Sequence, residues 1–292
     1  MTAANQAPSP KNPKSILYIP AHKEAYIEKA KLRGADIIAL DLEDAVPEAL
    51  KATARSNLLD YCQQHLEGQQ VWVRVNRPWT LLIKDLEAIV DQKVSAIIVP
   101  KTDNAARIQF IAEALADIER EKGLTIGHTG IIGFIESVEG LYNARDIAAA
   151  NPRMLGLGMG TEDLALEMGM QNNLDTLYGP CQQLVMAARA ANIQPIGLVG
   201  SMAEFRDIPL YQEQLNKGFE LGFSAAFCIH PAQIEQVNTI YQPDQRLLNW
   251  ADRVMNAWQK AQDSGEVVFE VDGKMIDWPV ILRAKKILGL LE

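Results

Sequence analysis

Cysteine is scarce in this chain. Its three cysteines, Cys62, Cys181 and Cys228, lie far apart with no Cys-x-x-Cys pair among 292 residues. That spacing excludes a disulfide framework and a thiolate zinc site, and it fits a reducing cytoplasm. Excess positive charge is missing as well: the formal net charge is −9. A nucleic-acid partner, which calls for a basic face, is therefore not expected, and an anionic substrate has to be met by a local cluster of cations. No apolar run reaches the length of a membrane span. The opening "MTAANQAPSPKNPK" has no apolar centre of the kind a signal peptide needs, so residues 1–13 are expected to be a disordered lead.

What the chain does have is apolar material, 48% of its residues, enough for a large single core. Short β-branched runs recur: "SILYIPA", "DIIALDLED", "QVWVRVNR", "AIIVPKT", "GIIGFIES", "MLGLGMGTED", "PIGLVGS" and "AAFCIHP". Between them lie stretches such as "NAARIQFIAEALADIEREKG", apolar at helical spacing. Strands apolar on both faces and alternating with helices are parallel βα units, and eight of them predict an α/β (β/α)8 barrel over residues 14–243. An open doubly wound sheet is the competing arrangement. Residues 244–292 are left as a helical C-terminal extension.

In a parallel barrel the chemistry collects where strands end, at the C-terminal rim. The residues at those ends are Glu43 and Asp44, Arg74 and Asn76, Lys101, Glu136, Asp163 and His230. Each alone reads as a cap or a solvated side chain. Together, acids and cations at one end of successive strands point to a common cavity.

The segment "DIIALDLEDAV", residues 36–46, crowds Asp41, Glu43 and Asp44 into four positions. Like charges at that density need something positive among them. Oxygen donors from several strands, with no cysteine and a single histidine nearby, suit a hard cation such as Mg2+, with Mn2+ as a substitute. Mg2+ takes only one or two protein carboxylates, so the acids cannot all be ligands.

Blocks running in order from about Ser15 to the end carry a resemblance: "SILYIP", "DLEDAVPEALKATAR", "VWVRVN", "VPKTD", "GFIESVEG", "GMGTEDLA", "LGFSAAFCIHPAQIEQVN" and "DGKMIDWP". They resemble the HpcH/HpaI aldolase and citrate lyase β-subunit-like superfamily, and within it the CoA-ester lyases. The resemblance implies a (β/α)8 barrel, Mg2+ dependence, and homotrimers or hexamers whose C-terminal segment reaches over a neighbour's active site. It implies Glu136 and Asp163 as metal ligands, and Glu43 and Asp44 as holders of metal-bound water. Arg74 is implied as the cation for a substrate carboxyl or enolate oxygen, and Asp277 as an acid/base residue supplied across the subunit interface. The implied reaction cleaves a 3-hydroxyacyl-CoA thioester, (S)-citramalyl-CoA or malyl-CoA, to acetyl-CoA and a 2-oxo acid, pyruvate or glyoxylate. Its alternatives are a citrate lyase β subunit acting on a citryl thioester of an acyl-carrier protein, a malyl-CoA thioesterase, and a non-catalytic subunit that binds CoA esters.

The chain also departs from the family pattern. Many relatives read R-S-x-L-F-V-P-G at the first strand, where this chain has "KSILYIPAH", and Asp103 replaces a glutamate after Pro-Lys. Rim cations available to CoA phosphates are Lys14, His22, Lys23, Lys31 and Lys101. "GLGMGTE" lacks the spacing of a dinucleotide loop.

Overall fold

The computed structural model describes residues 13–243, 245–264 and 268–290. The proposed lead falls almost wholly on residues 1–12, outside the described residues. Two compact units divide the chain, residues 1–241 and 242–292.

The first unit is an α/β barrel. Its strands are β1 (Ser15–Pro20), β2 (Ile37–Asp41), β3 (Gln70–Arg74), β4 (Val94–Val99), β5 (Gly130–Ile135), β6 (Met154–Met159), β7 (Gln194–Ile196) and β8 (Ala226–Cys228). They hydrogen-bond in the order β7-β6-β5-β4-β3-β2-β1-β8, and all pairings are parallel. A single parallel bridge, Ile196 to Ala225, spans the remaining gap and nearly closes the sheet into a TIM-type barrel. The doubly wound alternative is excluded by this order, because β1 pairs with both β2 and β8.

The strands form because their residues are buried on both faces, as every residue of β2 and of β5 is. Alternation splits those residues into two sets. Inward-facing Ile16, Ile37, Trp72, Ile98, Phe134 and Phe227 fill the barrel interior. Outward-facing residues such as Leu17, Ile38, Leu40, Val73 and Ile97 pack into the larger core that includes the surrounding helices. The three cysteines are buried and unbonded. No described helix is long and apolar enough to cross a membrane.

The second unit holds the helix Gln245–Ser264, a hairpin of β9 (Phe269–Val271) and β10 (Lys274–Ile276), and the helix Trp278–Ile287. Ala251, Val254, Val271, Ile276, Ile281 and Ala284 are its core. The extension holds the helices expected from sequence and adds this hairpin between them. The hairpin turn is Asp272-Gly273, with φ of +54° and +73°, the left-handed pair that a two-residue type I′ turn demands.

Candidate active site

Parallel register decides which rim residues meet. Asp41, the last residue of β2, lies opposite Arg74, the last of β3. Arg74 donates from Nε to Asp41 Oδ1 at 2.8 Å and from Nη2 to Oδ2 at 2.6 Å, a bidentate fork. Asp41 also accepts the backbone N–H of Glu43 at 2.8 Å and of Ala45 at 3.1 Å, which curls the following turn over the strand end. That turn brings Glu43 Oε2 to 3.2 Å and Asp44 Oδ2 to 3.9 Å from Arg74 Nη1. The positive charge among the three acids is thus the Arg74 guanidinium, a part the sequence reading gave to a bound cation alone.

A polar scaffold behind the turn fixes it. Lys51 Nζ donates to the carbonyls of Leu42 (2.9 Å) and Glu43 (2.6 Å) and to Asn76 Oδ1 (2.6 Å). Asn76 donates from its backbone N–H and its Nδ2 to Asp85 Oδ2, both at 2.8 Å, and Arg55 Nε donates to Asp85 Oδ1 at 2.6 Å. Asp41, Lys51, Arg55 and Asp85 were all missed as site-shaping residues. The signal for two of them was the Lys and Ala-Arg that follow Asp-Leu-Glu-Asp-Ala-Val.

On the next strands, Glu136 is buried just past β5, and its Oε2 accepts the backbone N–H of Lys101 at 2.7 Å. Lys101 takes a left-handed backbone, φ +45°, to present that N–H, and its Nζ lies 3.6 Å from Asp163 Oδ1. Asp163 sits in the first turn of the helix Thr161–Met168. Asp103 accepts from Ser137 Oγ at 2.5 Å and from Arg77 Nη2 at 3.1 Å, tying the loops after β4 and β5 together.

Burial governs the electrostatics. It pushes Glu43 up to about 8, against the pull of Arg74 and with the help of Asp44, Glu136 and Asp41. It pushes Glu136 up to about 7, against the Lys101 N–H and with the help of Asp163. Lys101 loses some solvation, but Asp163, Glu136, Asp44 and Glu43 outweigh that loss and hold its pKa above the usual range. Glu43 Oε2 is buried and has no aligned hydrogen-bond donor, despite Arg74 nearby. Glu43 and Glu136 offer carboxyl oxygens, one of them orphaned, and a small divalent cation beside them would favour their ionised form. Among the described residues no group of three or more His, Cys, Asp or Glu forms a ready-made cage.

The remaining predicted residues are spread wider. His22 and Lys23 follow the C-terminal end of β1, on the same rim. His22 Nδ1 is buried without a partner, and its pKa is lowered by burial and by Lys23. Lys14 stands at the other end: its N–H donates to Asp36 Oδ2 and its carbonyl accepts from Ala226 N, before β1 begins. A six-residue strand, about 20 Å, separates it from the rim. Lys31 lies in a short 3-10 turn after the first helix and donates to the Glu67 carbonyl. Asp277 belongs to the second unit, where its Oδ1 accepts from Val280 N and caps the helix Trp278–Ile287. His230 caps the helix Pro231–Ile240 through Nδ1 and stacks on Phe205 at 5.0 Å.

An eight-stranded barrel with a carboxylate–guanidinium cluster at the C-terminal ends of its strands is a barrel enzyme. Its sequence over residues 14–231 matches the HpcH/HpaI aldolase/citrate lyase family, and the chain belongs to that family of carbon–carbon lyases. It is 33% identical to the citrate lyase subunit beta of Leuconostoc mesenteroides subsp. cremoris over 282 residues, covering 95% of this chain and 92% of the relative. It is 34% identical to a (3S)-malyl-CoA thioesterase of Cereibacter sphaeroides over 286 residues, covering 96% and 94%. The structure superposes on CitE from Mycobacterium tuberculosis, solved with magnesium, acetoacetate and coenzyme A, at a TM-score of 0.74 and 27% identity, covering 96% of this chain and 98% of that one.

Proposed function

We propose that this protein is a Mg2+-dependent lyase that cleaves a 3-hydroxyacyl-CoA, (S)-citramalyl-CoA or malyl-CoA, into acetyl-CoA and pyruvate or glyoxylate. The observation that carries the reading is the rim cluster: Arg74 held by Asp41 with one guanidinium edge toward Glu43, beside the buried Glu136. Glu136 and Asp163 would hold the ion, with Glu43 and Asp44 facing its water. Bound there, the ion supplies Lewis-acid polarisation of a 2-oxo acid.

The chain's own residues then have defined tasks. Breaking the bond between C2 and C3 of the acyl unit would pass the hydroxyl proton to a carboxylate of the rim, Glu43 or Asp44, and leave a thioester enolate, so two oxygens gain negative charge. Arg74 Nη1, the edge that Asp41 does not take, offers its N–H to one of them. Burial keeps that guanidinium short of competing water, which strengthens its field. Asp277, contributed by a neighbouring subunit of a trimer or hexamer, returns a proton to the enolate carbon. Lys101, His22 and Lys23 lie on the rim where the phosphates of CoA would enter.

A second reading is favoured by the malyl-CoA thioesterase relative: hydrolysis of the thioester after the carbon–carbon step. The citrate lyase relative favours a third, a β subunit that works on a carrier-protein thioester. The test is turnover of both CoA esters with Mg2+ and with EDTA, following oxo acid and free CoA separately. Magnesium-dependent oxo acid without free CoA supports the lyase; free CoA in equal yield supports the thioesterase. Silence on both esters, with turnover of a citryl carrier protein, supports the third reading and overturns the first.

A further inference from the structure

Tyr18, like His22 and Glu43, holds a buried polar atom in the site region without a hydrogen-bond partner. It lies on β1 and faces the barrel interior, where its ring stacks on Phe227 at 5.0 Å and 19°. The Arg74 guanidinium sits over the same ring, 5.0 Å from its centre. The hydroxyl oxygen is shut off from solvent and has no hydrogen-bond partner. A buried donor left unpaired is costly, and its persistence beside a functional site calls for an explanation.

No neighbouring group supplies an acceptor: Glu43 and Glu136 act on the phenol electrostatically, yet neither bonds its hydroxyl. Arg74 only donates. Asp41 already receives four donors on its two oxygens, from Arg74 Nε and Nη2 and from the N–H groups of Glu43 and Ala45. Burial raises the pKa of the phenol despite the opposing charge of Arg74, so Tyr18 keeps its proton and remains a donor. The ring cannot turn away while it is wedged between Phe227 and the guanidinium. An acceptor must therefore come from a bound molecule. The Arg74 guanidinium and the Tyr18 side chain thus lie together, one a cationic donor and the other a neutral one. Such a pair fits an oxygen of a short, anionic oxo acid better than it fits a cation or an apolar tail.

We infer that Tyr18 is a substrate-binding residue that donates its O–H to an oxygen of a short 2-oxo acid held by Arg74. The inference rests on the proposed lyase reading and adds to it the residue that pairs with Arg74. It also gives a use to a departure at the first strand, where many relatives have phenylalanine and this chain has "SILYIP".

The experiment is calorimetric titration of the full chain with pyruvate, glyoxylate and coenzyme A, in Mg2+, for wild type and Tyr18→Phe. Phenylalanine preserves the stack on Phe227 and removes an unpaired buried hydroxyl, so the thermal midpoint should hold or rise. The variant should bind the oxo acid about tenfold more weakly, the worth of one neutral hydrogen bond, and coenzyme A within about twofold of wild type. In wild type the 13Cζ resonance of Tyr18 should also move when pyruvate is added. Equal oxo-acid affinity in the two proteins, or an unmoved resonance at saturation, would overturn the assignment while leaving the lyase reading intact. A parallel loss of oxo acid and coenzyme A would overturn it too, because that pattern marks a structural role. Wild type that binds coenzyme A but neither oxo acid would bring down the lyase reading and this inference together.

Discussion

Asp41→Asn removes the charge that clamps Arg74. In the folded protein the Asp41 side chain is 2% exposed and the Arg74 side chain 14%, and two N–H···O bonds of 2.8 and 2.6 Å join them. Breaking such a pair by neutralising one partner leaves the other charge buried, which typically costs about 3–5 kcal/mol. Arg74 keeps Glu43 at 3.2 Å, so the lower end, about 3 kcal/mol, is expected. For a unit of this size that is a fall in Tm of about 6–12 °C. Urea unfolding at neutral pH measures it, with Asp117→Asn as the control. Asp117 pairs with Arg120 at a similar 2.7 Å, but both side chains are more than 60% exposed, and that pair is worth less than about 1 kcal/mol. Turnover of the preferred CoA ester should fall about 100-fold as the guanidinium loses its fixed position. A loss of under about 1 kcal/mol, no larger than the control, would refute the argument that burial and bidentate geometry make this pair matter.

Three further outcomes follow from the same structure. Gly158→Ala places a methyl 2.3 Å from Phe134 Cδ2 and 2.9 Å from Phe227 Cε2, so both rings must shift; equilibrium unfolding should show a loss of about 1–3 kcal/mol. Burial alone would raise the pKa of Glu119, but Arg153 and the N–H groups of Thr129 and Gly127 outweigh it and hold it low. Its contribution is therefore present above the unfolded value of about 4.3 and is lost as pH falls through the lower folded value. Glu119→Gln should be less stable than wild type at pH 6 and converge with it at strongly acid pH, a gap that thermal melts across pH record. Mg2+ at about 100 times its Kd should stabilise the wild type by about 2.7 kcal/mol in a thermal-shift assay, and EDTA should reverse the gain.

Much of this molecule is legible without coordinates, and for physical reasons. Strands buried on both faces leave long apolar runs, so "DIIALD" and "GIIGFI" announce themselves, and eight of them separated by helical patterns imply the barrel. The rim follows, because residues at the ends of parallel strands must share one face. Partnership is harder to read. Asp41, Glu43 and Asp44 look alike in a line of letters, and only the register that sets Asp41 opposite Arg74 separates the clamp from the two acids beside it. Lys14 looked like a rim cation because it adjoins a matched motif, yet it precedes β1 and falls at the far end of the strand. The Asp272-Gly273 turn was visible but was absorbed into a helical extension, since the strands flanking it are only three residues each. The unpaired state of the Tyr18 hydroxyl cannot be read from the sequence, because it is defined by what fails to surround it.

The most direct test of the account is Mg2+-dependent release of 2-oxo acid from (S)-citramalyl-CoA and malyl-CoA by wild type and by Glu136→Gln. The account predicts turnover of at least one ester, abolished by EDTA, and loss of that turnover in a variant that still folds and still binds coenzyme A. Equal turnover by the two proteins, or activity indifferent to EDTA, would contradict it.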